Sequence, residues 1–266
     1  MTLHQLPLAS KDKVIIVGAG IGGLASSVRL SHLGYQVSVF EKAKNAGGKL
    51  RTIMGSTGDI DVGPTVLTLL PIFKKLFKSV GEDIFEHIEL VRQKIIARHW
   101  WPDGTSLDLH DNFEASRDAI LSFSGSNSAH EFEKYFFDTK DLFSCFETPV
   151  MQNPKPSLLD MNRAVFSNPR ILTKIHPSRS LSSSLKLKFS DYRLQQLFAR
   201  YSTYVGGSPL ESPALLSLIW QAEARGVWSI KGGMKKLASV LEKLALDRGA
   251  SFTYDSEVQE FNTEDD

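Results

Sequence analysis

The stretch from Val14 to Glu41, VIIVGAGIGGLASSVRLSHLGYQVSVFE, constrains the fold more than any other part of the chain. An apolar, β-branched run is followed by Gly18-Ala19-Gly20-Ile21-Gly22-Gly23, a helix-patterned segment, and a second apolar run ending in an acid. That order is a complete βαβ unit, so the chain is expected to be α/β with a Rossmann-like domain. Val14–Val17 reads as a parallel strand buried on both faces. Gly18 allows the sharp turn out of the strand. Gly20 lets the backbone approach a diphosphate, and Gly23 lets the helix pack on the sheet. The first-turn N–H groups, with Gly22 among them, point at the anion, and the helix dipole adds to the attraction. Gly34 suits the helix C-terminus. Tyr35–Phe40 reads as the second strand. Glu41 stands where a carboxylate accepts ribose hydroxyls, roughly 20 residues past the glycines. Lys42 follows it. A glycine-rich turn in an ordinary βαβ unit is the competing reading.

A second glycine pair comes soon after, in Ala46-Gly47-Gly48-Lys49-Leu50-Arg51-Thr52. A nicotinamide domain has no need of it. FAD lies extended, and a second loop must pass under its pyrophosphate and ribityl chain. Gly47 and Gly48 permit that approach. Lys49 or Arg51 supplies positive charge, with Arg51 favoured for its planar donor fork. A surface turn with solvated cations also fits these residues.

Asp61-Val62-Gly63-Pro64-Thr65 resembles the flavin-flanking segment of the FAD-dependent amine oxidase and phytoene desaturase superfamily. Gly63–Thr68, Ala97–Thr105 (ARHWWPDGT) and Glu223–Met234 (EARGVWSIKGGM) resemble the carotenoid desaturases, and within them the 1-hydroxycarotenoid 3,4-desaturases. The likeness runs from about Val14 to about Val258. It implies an FAD-binding domain interrupted by an α+β substrate domain, with boundaries at 1–92, 93–224 and 225–266. It implies that Gly63, Pro64 and Thr65 run beside the flavin and that Gly232 and Gly233 return close to it. Val258 would then meet adenine through its backbone. Gly232-Gly233 also fits a plain helix-start turn. Family members are longer and carry a late Gly-Asp segment that has no counterpart here. The chain is therefore expected to be an N-terminal, C-terminally truncated part.

The net charge of +1 argues against a nucleic-acid binder. One cysteine, Cys145, leaves no intramolecular disulfide. Met1–Lys13 lacks the apolar core of a signal peptide, and no stretch is long and apolar enough to span a bilayer. Two segments suit a membrane surface instead. Pro71–Val80 puts Ile72, Phe73, Leu76, Phe77 and Val80 on one helix side and Lys74, Lys75 and Lys78 on the other; a helix packed on a core has the same spacing. Residues 151–190 carry a net +6, from Lys155, Arg163, Arg170, Lys174, Arg179, Lys186 and Lys188 against Asp160, suited to anionic head groups or to solvent. A cytoplasmic bacterial protein touching the bilayer is expected.

Residues 95–110 read as a β-hairpin turning at Pro102-Asp103-Gly104, with Trp100 and Trp101 on opposite sides. Glu114–Glu147 is mainly helical with loop signals at Ser124-Gly125-Ser126-Asn127. Asp191–Tyr204 and Pro213–Ala224 are further helices, and Met234–Asp247 is an amphipathic helix closed by Gly249. Ser251–Tyr254 is a strand, and Glu257–Phe261 is a possible second one.

The resemblance implies that FAD oxidises a C–C single bond of an acyclic, 1-hydroxylated carotenoid at C3–C4, with a quinone or oxygen as final acceptor. No acid–base pair, metal cluster or nucleophile elbow is visible, and no catalytic side chain is named; His99 and His110 read as structural. The alternatives are another superfamily activity (phytoene desaturase, retinol saturase, amine oxidase) or a catalytically incomplete FAD-binding fragment.

Overall fold

A computed structural model of the chain describes residues 12–262. The readings placed on 1–11 and 263–266 fall outside it. In chain order the elements are β1 (Lys13–Val17), α1 (Ile21–His32), β2 (Gln36–Phe40), β3 (Thr52–Gly55), β4 (Gly58–Asp61), α2 (Leu70–Lys78), α3 (Ile84–His87) and β5 (Leu90–Arg92). Then come β6 (Ile95–Trp100), β7 (Ser106–His110), α4 (Phe113–Phe146), α5 (Leu158–Ser167), α6 (Leu172–Ile175), α7 (Leu181–Lys188), α8 (Tyr192–Ala199) and α9 (Trp220–Ala224). Last are β8 (Trp228–Ile230), α10 (Lys235–Leu246) and β9 (Ser251–Thr253). The chain divides into two units: residues 1–92 with 228–266, and residues 93–227.

Unit 1 is built on a parallel sheet of order β1-β2-β9. Side chains alternate across it. Val14, Ile16, Val37, Val39 and Phe252 face one core together with Leu24 and Val28 of α1 and Leu237, Leu241 and Leu244 of α10. Strand β1 is not buried on both faces, as its composition suggests. Ile15 is 64 % exposed and Val17 49 %, because the helices of this sheet lie on one side of it among the described residues. The α2 helix sends Phe77 fully into the same core, with Val80 just beyond its end and Phe73 and Leu76 packed against it. Its apolar side is thus largely occupied by the core. Residues 257–261, a candidate strand from composition, are irregular. Three residues of β9 are enough to pair with β2, and the chain then follows the end of β2, with Asp255 N donating to Ala43 O and Ser256 N to Glu41 O.

Unit 2 begins with the β6–β7 hairpin, closed by Trp101 N donating to Thr105 O. Trp100 is exposed and Trp101 buried. Helix α4 starts on an Asn112 cap and breaks at Gly125, whose φ is 85°. Phe132, Tyr135, Phe198 and Trp220 form an aromatic core with Phe113, Phe136 and Phe189 around it. The basic stretch is partly neutralised by acids outside its own segment. Lys174 reaches Asp138 at 3.1 Å and Asp141 at 2.6 Å, and Lys188 reaches Asp138 at 3.1 Å.

His99 Nε2 is buried and finds no partner. Burial, and then the nearby Arg200 charge, lower its pKa from 6.5 to about 4. Between those values the unfolded chain binds a proton that the folded chain refuses, so stability rises with pH across that window. Acidification from pH 6.5 to 4 is expected to weaken unit 2 by roughly 2 kcal/mol through this residue, a figure reduced for the ring's partial exposure. Urea melts of the native chain and of His99→Gln, taken at both pH values, check it: the variant loses that part of the slope.

Candidate dinucleotide site

The glycine-rich turn follows β1 directly. Gly18, at φ +93°, donates its N–H to Phe40 O at 2.8 Å and so ties the turn to the end of β2. Helix α1 opens at Gly20 with no side-chain cap and no acid in its first turn. The N–H groups of Gly20, Gly22 and Gly23 have no acceptor among the described residues, and Gly22 lies exposed. An uncapped helix start with open amides is a general anion site. A Cβ on Gly23 would lie 2.0 Å from Gly18 O, so a side chain there is excluded by backbone. A Cβ on Gly20 or Gly22 would meet nothing within 4 Å. The absence of side chains at these two positions thus leaves space rather than relieving an internal clash.

The other glycine segments are joined to this turn in series. Gly47 N donates to Ala19 O at 2.8 Å, and a Cβ on Gly48 would come within 3.0 Å of Gly20 Cα. A Cβ on Gly63 would sit 1.9 Å from Lys49 O, which places the Gly63-Pro64-Thr65 strand of chain against the Gly47–Arg51 loop. Val62 N donates to Arg51 O at 3.0 Å. Asp61 then bridges to the return segment. Its Oδ2 accepts from Met234 N at 2.9 Å, and a Cβ on Gly233 would come within 3.1 Å of its carboxylate. Asp61 Oδ1 is buried and without a partner. Gly232 is exposed in the same turn, at φ +89°. Lys49 and Arg51 are exposed and make no ion pair among the described residues.

Glu41 has a structural duty as well as its expected place. It is 8 % exposed, with Oε2 accepting from Ala19 N at 2.6 Å and Oε1 from Ala43 N at 2.8 Å. It therefore clamps the turn to the end of β2, and each carboxylate oxygen keeps a further lone pair. Glu41→Ala removes two charge-assisted bonds. It is expected to destabilise unit 1 by about 2–4 kcal/mol, with thermal melting as the check and Glu41→Gln recovering part of the loss.

Two predicted positions stand apart. Lys42 is exposed and faces Glu257 at 3.8 Å. Val258 lies half-buried in irregular chain beyond β9. Asp61 and the amides of Ala19 and Ala43 were not singled out from sequence. An acid two residues before Gly63 was the available signal for Asp61, and nothing local marks a backbone amide as a clamp partner. A cluster of Glu82, Glu86 and His87 brings ligand-type atoms within 4.8 Å of one another. Glu82 is already engaged by Arg248 at 2.6 Å and His87 at 2.8 Å, and these partners hold its carboxyl below the usual range.

Comparison with known proteins gives the same outline. Residues 16–81 match the NAD(P)-binding Rossmann-like domain family. The chain is 42 % identical over 246 residues to the hydroxyneurosporene desaturase of Cereibacter sphaeroides, covering 92 % of this chain and 50 % of that one. It is 30 % identical to the 4,4'-diapolycopene oxygenase of a Methylomonas species, covering 96 % of this chain and 51 % of that one. Among solved structures, an oxidoreductase from Methanosarcina mazei superposes with a TM-score of 0.59 at 18 % identity, over 91 % of this chain and 51 % of that one. A putrescine oxidase superposes with a TM-score of 0.60 at 16 % identity, over 92 % of this chain and 50 % of that one. These two share the fold. The chain spans about half the length of the curated relatives it matches. Over about half of their length the hydroxyneurosporene desaturases are similar to this chain at 38–42 % identity, and its residues 16–81 match a Rossmann-like dinucleotide domain.

Proposed function

We propose that the chain binds FAD through unit 1 and forms part of a desaturase that introduces a C–C double bond into an acyclic, 1-hydroxylated carotenoid at C3–C4. The observation that carries the FAD assignment is the series of glycine contacts from the α1 turn through Gly48 to Gly63. A nicotinamide site ends at the first turn. A cofactor that continues past it needs the second backbone track, which Gly47, Gly48 and Gly63 supply. When bound, FAD would supply the hydride acceptor for the desaturation, in which one carbon loses a hydride and its neighbour a proton.

The residues have separable roles in this reading. The Gly20, Gly22 and Gly23 amides hold the diphosphate, and Lys49 and Arg51 offset its charge. Gly63, Pro64 and Thr65 border the flavin with Gly232 and Gly233, whose turn Asp61 fixes. Asp61 Oδ1 is an unfilled acceptor there for a hydroxyl or N–H of the cofactor. Glu41 holds the ribose while clamping the turn, and Val258 lies toward the adenine end. The inserted unit 2 carries the polyene. The names of the desaturase relatives support the substrate class. A quinone or oxygen serves as acceptor, and a carotenoid's low solubility gives the protein reason to work at a bilayer surface. No helix of the described residues is long and apolar enough to cross a membrane.

The test has two steps. Titration of the purified chain with FAD should quench flavin fluorescence with one equivalent bound. Anaerobic addition of a 1-hydroxylated acyclic carotenoid should then bleach the flavin. A chain that takes up NADP but not FAD would overturn the cofactor assignment. Bleaching by a primary amine and not by a carotenoid would overturn the substrate class.

A further inference from the structure

Unit 2 holds two polar side-chain atoms that are shut from water and bonded to nothing, His99 Nε2 and Arg200 Nε. Both belong to one place in the fold. On β6, His99 stands opposite Leu107 of β7, which is buried, so its ring is on the inward face of the hairpin. Trp101 shares that face by alternation, with its ring centroid 6.2 Å from that of His99. Trp101 Nε1 donates to Gln196 Oε1 at 3.0 Å, which seats the hairpin on α8. Arg200 comes four residues after Gln196, on the same side of the helix end. Its charge reaches the His99 ring, where only burial lowers the pKa more.

The rest of the cluster holds Arg200 in place and cancels its charge. Arg200 Nη2 donates to Glu223 Oε2 and, at 2.8 Å, to the Tyr201 hydroxyl. Tyr201 donates to Glu223 Oε2 at 2.8 Å, and Tyr204 donates to Oε1 at 2.6 Å. One guanidinium thus meets one carboxylate, and His99, its pKa lowered to about 4, is neutral at pH 7. The cluster has no net charge to attract an ion. In the Nδ1–H tautomer, His99 Nε2 is an acceptor, whereas the guanidinium Nε–H is only a donor. A ligand that satisfies both must give one hydrogen and offer one lone pair. A neutral hydroxyl does so; a carboxylate has no hydrogen to give, and an ammonium has no lone pair. The cluster reaches the surface of unit 2 at Arg200, whose side chain is 33 % exposed, and at Tyr204 and Val205, 55 % and 60 % exposed. Apolar surface therefore lies beside the polar end, which suits an alcohol carried on a hydrocarbon chain.

We propose that His99 and Arg200 are the recognition pair for the hydroxyl of an apolar alcohol: Arg200 Nε–H donates to the hydroxyl oxygen, and the hydroxyl donates to His99 Nε2. Identifying that alcohol as the 1-hydroxyl end of an acyclic carotenoid rests on the substrate class proposed above. The pair then selects hydroxylated over unhydroxylated polyenes, because without the hydroxyl both buried atoms stay unpaired. These two residues set specificity and take no part in the bond changes of the desaturation.

The test uses the 266-residue chain. Two acyclic polyenes of equal length, with and without a 1-hydroxyl, are titrated in detergent micelles and followed by tryptophan fluorescence. The hydroxylated one should bind about tenfold tighter or more, as expected for one well-placed pair of hydrogen bonds. His99→Leu should bring the two affinities together, and His99→Gln, which keeps an acceptor, should keep part of the preference. A second readout needs neither a polyene nor a variant. The ring nitrogen resonance of His99 Nε2 is followed on addition of 2-methyl-2-hexanol and, separately, of 2-methylhexane; the alcohol should move it toward the hydrogen-bonded position and the alkane should not. Equal affinities for the two polyenes would overturn the proposal and leave the carotenoid class standing. Failure of both polyenes to bind, with the alcohol response intact, would support the hydroxyl site and overturn the carotenoid class. A resonance already hydrogen-bonded in the free chain and unmoved by the alcohol would assign the two atoms to an ordered water only, and would overturn the proposal.

Discussion

Adding one methyl group at position 23 is expected to destabilise unit 1 by about 3 kcal/mol or more, whereas a side chain at position 20 leaves its stability unchanged and weakens dinucleotide binding at least about 100-fold. The Cβ of Gly23→Ala would lie 2.0 Å from Gly18 O. That carbonyl has little freedom to yield. Gly18 N is bonded to Phe40 O at 2.8 Å, and Ala19 N is bonded to Glu41 at 2.6 Å. Overpacking against fixed backbone falls at the upper end of the usual range, so a fall in melting temperature of roughly 6–12 °C is expected. The intrinsic gain of alanine over glycine in a helix, about 1 kcal/mol, is too small to offset it. The Cβ of Gly20→Val would meet no protein atom within 4 Å. Its side chain instead fills the space before the uncapped amides, and FAD affinity should drop at least 100-fold, about 3 kcal/mol. Calorimetry and flavin-fluorescence titration on the two variants separate the effects. Equal melting losses in both would mean that the turn, and not the crevice, explains the glycines.

The second large effect belongs to unit 2. Trp220 is 1 % exposed, with ring centroids of Phe132, Phe136 and Phe198 at 5.8, 5.9 and 5.5 Å. Its Nε1 donates to Thr139 Oγ1 at 2.9 Å. That oxygen also accepts from Gln221 Nε2 at 2.9 Å and donates to Tyr135 O at 2.8 Å. Trp220→Ala therefore opens a cavity among three rings and removes one bond from a buried network. A loss of about 3–5 kcal/mol is expected, with Trp220→Phe losing less. The cores of the two units are separate clusters. A calorimetric scan should show the unit 2 transition displaced downward while FAD uptake at low temperature is retained. Loss of uptake at a temperature where circular dichroism is unchanged would contradict that independence.

The early glycine turn was legible because each of its requirements is local. A β-branched run, glycines at fixed spacing and an acid at the end of the next strand together specify a short βαβ unit. The hairpin around Pro102-Asp103-Gly104 and the loop signals at Ser124–Asn127, where the helix breaks at Gly125, were legible for the same reason, since turn chemistry and positive φ are properties of a few neighbouring residues. Lys174 and Lys188 were harder to read. The basic count over 151–190 treats them as free, whereas their partners Asp138 and Asp141 come from α4. Glu41 shows the limit more sharply. Its position suggests a ligand contact, but only the folded turn brings Ala19 N and Ala43 N onto both of its oxygens.

By itself the sequence determined the dinucleotide-type βαβ unit, its glycine turn and the likeness to the carotenoid desaturases. These depend on residue type at short spacing, and short spacing survives without any knowledge of packing. The tertiary structure alone decided that Asp61 holds the Gly233 turn, that Gly63 lies on Lys49, and that β1 has one face and one edge uncovered among the described residues. Those facts depend on which distant segments meet, and composition cannot distinguish a strand with two neighbours from the same strand with one.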